Sequence, residues 1–130
     1  MEQVSVRYIV ADVDAAIPFY TEMLGFHLDM HPAPGFAMLS KGALRMLLNR
    51  PGAGGAGQAT SDGRVPAPGG WNRIQVEVED LAATVEKLKR AGCRFRNEIV
   101  SGMGGKQILL EDPSGNPIEL FEPGRGQTKP

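Results

Sequence analysis

The residues of this chain best suited to chemistry cluster in three short segments. Ser5 and Arg7 alternate with Val4, Val6 and Tyr8; Arg73, Gln75 and Glu77 alternate with Ile74, Val76 and Val78; and Glu119 lies in the run Ile118-Glu-Leu-Phe121. A period of two is that of a strand with two unlike faces, so the polar residues of each segment share a side. Arginine and glutamine on one face offer several N–H donors to a carbonyl or an anion, and a carboxylate accepts in return or removes a proton. The chain has two histidines, His27 and His31, and one cysteine, Cys93. A lone cysteine forms no intrachain disulfide and suits a reducing cytoplasm. Cys93 follows Gly92 at the start of a strand-like segment, where an inert, buried thiol is expected.

The elements that must position these groups repeat. Val4 to Val10 reads as a strand, Asp12 as a helix N-cap, and Val13, Ala16, Ile17, Tyr20 and Leu24 as an apolar helical stripe closed by Gly25. The same order returns 68 residues on: strand Ile74–Val78, N-cap Asp80, stripe Leu81, Thr84, Val85, Leu88 and Ala91, then Gly92. Strand-like pieces follow each helix, near residues 26–30, 36–40 and 44–49 and again near 94–100, 107–111 and 118–121. The order is therefore β-α-β-β-β, twice. Pro18, about six residues into the first helix, removes an intrahelical bond and predicts a kink.

Between the repeats, Pro51 to Gly70 is rich in glycine and proline, lacks apolar periodicity and reads as a mobile connection. The expected organisation is a first module over 1–50, a linker over 51–70, a second module over 71–123 and a flexible tail over 124–130. The Gly102-Met-Gly-Gly105 stretch lacks the spacing and following helix of a phosphate loop and reads as a hairpin turn. Glu86 and Arg90 at i,i+4 describe a solvated helix face.

Two stretches carry a resemblance to a known family. Ala11-Asp-Val-Asp-Ala-Ala-Ile-Pro-Phe-Tyr-Thr-Glu-Met-Leu-Gly-Phe26 resembles the first-helix signature of the vicinal oxygen chelate superfamily of glyoxalases, bleomycin-resistance proteins and extradiol dioxygenases. Glu111-Asp-Pro-Ser-Gly-Asn-Pro-Ile-Glu-Leu-Phe121 is similar to its closing hairpin. The resemblance implies an α+β fold in which two βαβββ modules form a curved, cup-shaped mixed sheet with helices on the outer face. In the metal-using members it implies one ligand from the first and one from the last strand of each module, the first-strand ligand seven residues before the N-cap aspartate. Those positions are here Ser5, Arg73, Glu119 and Leu47, or Met46 if the register slips by one. One carboxylate and no imidazole is too few for a divalent first-row ion, and a guanidinium offers no lone pair. The expectation is no metal and no cofactor. His27 and His31 lie where the family places no ligands.

The expected pocket holds Ser5, Arg7, Leu47, Arg73, Gln75, Glu119 and Phe121, with Trp71 as a further aromatic wall and Gln107 on a strand of unassigned facing; a core or lid role is equally open for Trp71 and Phe121. Arg73 and Glu119 neutralise each other there, or they bind a ligand. The expected function is metal-free binding of a polar or anionic small molecule, as in the bleomycin-resistance branch. The alternatives are an isomerase, epimerase or lyase in which Glu119 is the catalytic base and Arg73 or Arg7 stabilises an enolate-like charge, and a protein that only pairs with partners. A net charge of −1 favours neither nucleic acid nor an anionic membrane, no apolar run nears the ~20 residues of a membrane span, and the N-terminus lacks the pattern of a signal peptide. A cytoplasmic homodimer is expected.

Overall fold

A computed structural model describes residues 2–124. The expected tail over 124–130 lies, apart from Gly124, outside the described residues. The chain divides into two compact units on either side of Gly69 and Gly70, the first also taking in Pro113–Gly115.

In the first unit, strand β1 (Ser5–Ile9) leads to helix α1 (Val13–Pro18), then to strands β2 (His27–Ala33), β3 (Phe36–Lys41) and β4 (Leu44–Asn49). The sheet order is β1-β4-β3-β2, with β1 parallel to β4 and the other pairs antiparallel. Asp12 caps α1 by accepting from the Ala15 amide at 3.3 Å. Pro18 has no N–H to return to the carbonyl four residues back, and α1 ends at this residue, passing into a π-helical turn over Phe19–Met23. That turn places Tyr20 fully inside the unit, edge-on to Tyr8, Phe19 and Phe26 at ring separations of 6.3, 5.0 and 5.6 Å. Val10, Ala37, Leu39, Met46 and Leu48 complete this buried side. Each large apolar side chain so buried contributes roughly 1.5–3 kcal/mol.

The second unit holds β5 (Ile74–Glu77), α2 (Leu81–Arg90), β6 (Arg94–Phe95), β7 (Val100–Ser101), β8 (Gly105–Glu111) and β9 (Pro117–Pro123). Its order is β5-β9-β8-β6, with β7 also on β8 and β5 parallel to β9. Asp80 caps α2 on the Ala83 amide at 3.0 Å, and Glu122 adds a second acceptor for the Leu81 amide at 2.8 Å. Leu81, Val85 and Leu88 are buried from the helix, and Ile108, Leu110, Ile118 and Leu120 from the sheet. Glu86 and Arg90 are exposed, as a solvated helix face requires. In the turn after β8, buried Asp112 accepts from both the amide and the side chain of buried Asn116, at 2.9 and 3.0 Å.

The α+β class and the β-α-β-β-β order hold. Three details differ from expectation. The sheet expected to be shared is two hydrogen-bonded ladders among the described residues, because in each module the first strand pairs with that module's own last strand. The strand expected over 94–100 is two short pieces: between them Asn97 uses its side-chain oxygen to accept from the Leu109 amide at 2.9 Å, replacing a ladder bond. Strand β2 runs on through Pro32, which an edge strand tolerates, with register shifts against β3. The start of the 51–70 segment is held by its own bonds. Gly57 is buried, its amide donates to Ala53 O at 3.0 Å, and the Gln58 side chain donates to Gly52 O and Gly54 O.

Gly105 opens β8 at a φ of 148°, and a side chain there would meet Glu122 O at 2.1 Å. Gly92 has a φ of 90° with nothing within 4 Å. Gly105→Ala is therefore expected to lower the unfolding free energy by more than about 2 kcal/mol, against about 1 kcal/mol for Gly92→Ala. Urea denaturation of the two variants checks this; equal losses would show that Glu122 and its neighbours yield at no cost.

Candidate functional site

Parallel pairing of β5 with β9 sets Gln75 opposite Glu119 and Glu77 opposite Phe121, while β8 sets Leu109 opposite Glu119 and Gln107 opposite Phe121. Directly opposed residues share a face. Gln107 thus lies on the same side as Glu119 and Phe121, on the face opposite the helix-covered core. Arg73, one residue ahead of β5, reaches this face as well.

Glu119 is the centre of the group. Its side chain is 11% exposed, and both carboxylate oxygens are occupied. Oε1 accepts from Arg73 Nε at 3.0 Å and Nη2 at 2.8 Å, and Oε2 accepts from Gln75 Nε2 at 2.7 Å. Arg73 also donates from Nη1 to the Trp71 carbonyl at 3.2 Å. The guanidinium is oriented by three bonds while its side chain stays 28% exposed.

A second arginine, not singled out from sequence, continues the network. Arg96 donates from Nε to Glu111 Oε2 at 2.9 Å and from Nη1 to Gly70 O at 2.7 Å, and its guanidinium lies 4.8 Å from the centre of the Trp71 ring. Trp71 is 67% exposed, so it is an outward aromatic surface and not a core residue. The one sequence signal for this arrangement is alternation on β8, which puts Glu111 on the same side as Gln107 and Leu109. Nothing in the sequence marks Arg96 as its partner.

The other expected site residues lie together in the first unit. The β1–β4 register sets Ser5 opposite Arg45 and Arg7 opposite Leu47. Arg45 donates from Nε to Ser5 Oγ at 2.9 Å, and Arg7 donates to Oδ1 of the buried Asn49. Arg45 and Asn49 were missed in the sequence, although both alternate with Leu47 along one strand face. The structure thus joins Arg73, Gln75 and Glu119 by hydrogen bonds, and Ser5, Arg7 and Leu47 by register.

This donor set does not fit the divalent metal that the resemblance implies. Ser5 is engaged by a guanidinium, Leu47 has no donor atom, Arg73 is itself a cation, and Glu119 holds Arg73 and Gln75. Among the described residues no three His, Cys, Asp or Glu side chains stand close enough to hold a metal ion. His27 sits on Asp29 at 2.7 Å and His31 lies 3.4 Å from Asp14. The His27 hydrogen bond, followed by that from Ser40, holds the Asp29 carboxyl below the usual carboxylate range. Cys93 is half-buried rather than buried, and that burial pushes its thiol pKa up. A raised pKa leaves less thiolate at neutral pH.

The sequence profile of the Glyoxalase/Bleomycin resistance protein/Dioxygenase superfamily matches residues 3–120. Among solved structures, lactoylglutathione lyase from Agrobacterium tumefaciens is 18% identical with a TM-score of 0.70, over 93% of this chain and 92% of that one. TnmS3, an antibiotic binding protein from Streptomyces sp. CB03234, is 23% identical with a TM-score of 0.70, over 95% and 97%. The bleomycin-binding protein from Streptomyces verticillus, solved with copper(II)-bleomycin, is 20% identical with a TM-score of 0.61, over 95% and 98%. No curated protein matches the chain. Among the described residues no helix is long and apolar enough to cross a membrane.

The exposure of Arg73 places its pair with Glu119 between the surface and buried limits. Arg73→Ala is expected to cost about 1–2 kcal/mol, below the ~3–5 kcal/mol of a fully buried pair, because water and Gln75 remain to solvate Glu119. Glu119→Gln, which keeps the shape, is expected to cost less. Chemical denaturation checks both; an unfolded Arg73→Ala protein would show the pair to be a structural necessity.

Proposed function

Because this chain belongs to the glyoxalase/bleomycin resistance protein/dioxygenase superfamily, we propose that it binds a polar or anionic organic molecule without transforming it, and without a metal. The state of Glu119 carries this proposal. A general base needs a lone pair aimed at the proton it removes. Three donors already occupy the Glu119 carboxylate, and they come from Gln75 on the adjoining strand β5 and from Arg73 just ahead of it. Its use is to hold Arg73 and Gln75 in place. Arg73 then keeps N–H groups on Nη1 and Nη2 for a ligand carbonyl or carboxylate. Half-buried Phe121 and exposed Trp71 supply apolar surface beside them. The fold is shared with two proteins described as antibiotic-binding and bleomycin-binding, and the ligand class proposed follows theirs: a drug-sized organic molecule with acceptor groups. An isomerase or lyase acting through Glu119 would have only the lone pair left on Oε2 beside the Gln75 donor, unless Arg73 let go. The same proposal places the protein in the cytoplasm, on the strength of its single half-buried thiol.

A thermal-shift screen of carboxylates, phenols and glycopeptide-like drugs is expected to yield a stabilising ligand that Arg73→Ala and Glu119→Gln no longer bind. Mass spectrometry after prolonged incubation is expected to recover that ligand unchanged. Elemental analysis of protein purified without chelator is expected to show no stoichiometric Ni, Zn, Fe, Mn or Mg. Turnover of the hit, or about one metal per chain whose removal abolishes binding, would overturn the proposal.

The repeat also leads us to infer a homodimer with two equivalent sites. Sedimentation equilibrium is expected to give twice the 13.9 kDa chain mass; a monomer in concentrated solution would refute the dimer and leave the ligand proposal intact.

A further inference from the structure

We infer that the Asp62–Gly63 peptide is a latent site of spontaneous backbone modification, the rearrangement of aspartate to isoaspartate, which Thr60 and Arg64 hold in check. This is the single Asp–Gly step of the chain, and the chain has no Asn–Gly step. In the rearrangement the Gly63 nitrogen gives up its proton and attacks Asp62 Cγ. The C–OH bond of the carboxyl breaks, the hydroxyl leaves with that proton as water, and a cyclic imide closes. Water then adds back at either imide carbonyl. One opening restores aspartate. The other leaves the main chain running through Cβ and Cγ, with the former main-chain carbonyl carbon as a side-chain carboxylate. The water lost is the water regained, so no outside reagent is needed.

The reaction has three requirements. The carboxyl must carry a proton, because a hydroxyl leaves and an oxide does not. The amide N–H must be free to be removed. The residue after aspartate must not crowd the ring, and glycine, without a Cβ, meets this condition. The folded loop opposes the other two. Asp62 Oδ1 accepts from the Thr60 hydroxyl, and Oδ2 accepts from Arg64 Nε at 2.9 Å. Both bonds favour the charged carboxylate. The Thr60 bond, followed by the Arg64 bond, holds the Asp62 carboxyl below the usual carboxylate range. Its protonated, reactive fraction therefore rises only at pH values lower than those of a free aspartate. The nucleophile is engaged as well: the Gly63 amide donates to Thr60 O at 2.9 Å. The Thr60 amide donates in turn to Arg64 O at 2.8 Å, which closes the loop around both reacting groups. Burial gives no protection, since the side chains of Asp62 and Arg64 are 58% and 81% exposed. The restraint is hydrogen bonding within residues 60–64. All of these belong to the first unit, so the inference stands apart from the ligand proposal. Rearrangement would lengthen the main chain between Asp62 and Gly63, and the bonds that close the loop would lose their register.

The full chain, incubated at mildly acidic and at neutral pH, in buffer and in denaturing urea, tests the inference. Isoaspartate at residue 62 is measured after digestion by electron-transfer fragmentation, which tells the two linkages apart. The folded chain is expected to rearrange about tenfold more slowly than the unfolded one. In buffer, Thr60→Val and Arg64→Gln are each expected to react about threefold faster than wild type, the scale of an exposed pair. Arg64→Lys, which keeps the charge and loses the Nε donor, is expected to fall between wild type and Arg64→Gln. In urea all of these chains are expected to react alike. Equal rates for wild type in buffer and in urea would overturn the inference, a comparison that needs no variant to fold. Folded variants no faster than wild type would overturn the roles of Thr60 and Arg64. Variants that are faster in urea by the same factor would do so too, because the cause would then lie in local sequence and not in the folded loop.

Discussion

Parallel strands cannot be joined by a tight turn, so setting β1 beside β4 and β5 beside β9 obliges the chain to route a helix and further strands between the members of each pair. From this pairing the rest follows. The helix must return across one side of its sheet, which commits that side to Leu39, Met46 and Leu48 in the first unit and to Ile108, Leu110, Ile118 and Leu120 in the second. Alternation then sends the intervening residues to the other side. Arg7 faces Leu47 and Gln75 faces Glu119 because the parallel register says so, and a slip by one residue would exchange core for polar face in both units.

The two polar faces manage charge in opposite ways. In the second unit two arginines are set on carboxylates: Arg73 on Glu119, Arg96 on Glu111. The face is well supplied with donors yet close to electrically neutral, and its aromatic surface comes from Trp71 and Phe121. On the sheet face of the first unit Arg45 and Arg7 stand on Ser5 and Asn49, so the positive charge persists. A carboxylate shields a guanidinium from an incoming anion, whereas a hydroxyl or an amide oxygen only points it. Two duplicated modules with the same strand order thus present chemically unlike surfaces, and the difference lies in whether an acid or a neutral group stands beside the arginine.

Much of the scaffold was legible because its signals are local. Asp12 and Asp80 precede apolar stripes and cap their helices on the amides three residues ahead. Pro18 acts within its own turn, and Asp112 to Asn116 close their turn with bonds among themselves. The errors arose where one distant group decided the outcome. Asn97 splits an expected strand by serving Leu109, and a side chain that stands in for a backbone partner leaves no trace in periodicity. Strand β2 holds Pro32 and no clean alternation, so its full length depends on β3 being there to pair with it.

By itself the sequence determined the module order, the two capped helices and the faces of the strands, because each depends on residue type at regular spacing; the mismatch between the site positions and a metal followed from the positions that the family resemblance implies. Only the tertiary structure decided who neutralises whom. Glu119 lies 46 residues from Arg73, Arg96 lies 15 from Glu111, and Arg7 lies 42 from Asn49. Whether a guanidinium meets an acid or an amide at such separations is set by strand register and side-chain reach, and a one-dimensional pattern carries neither.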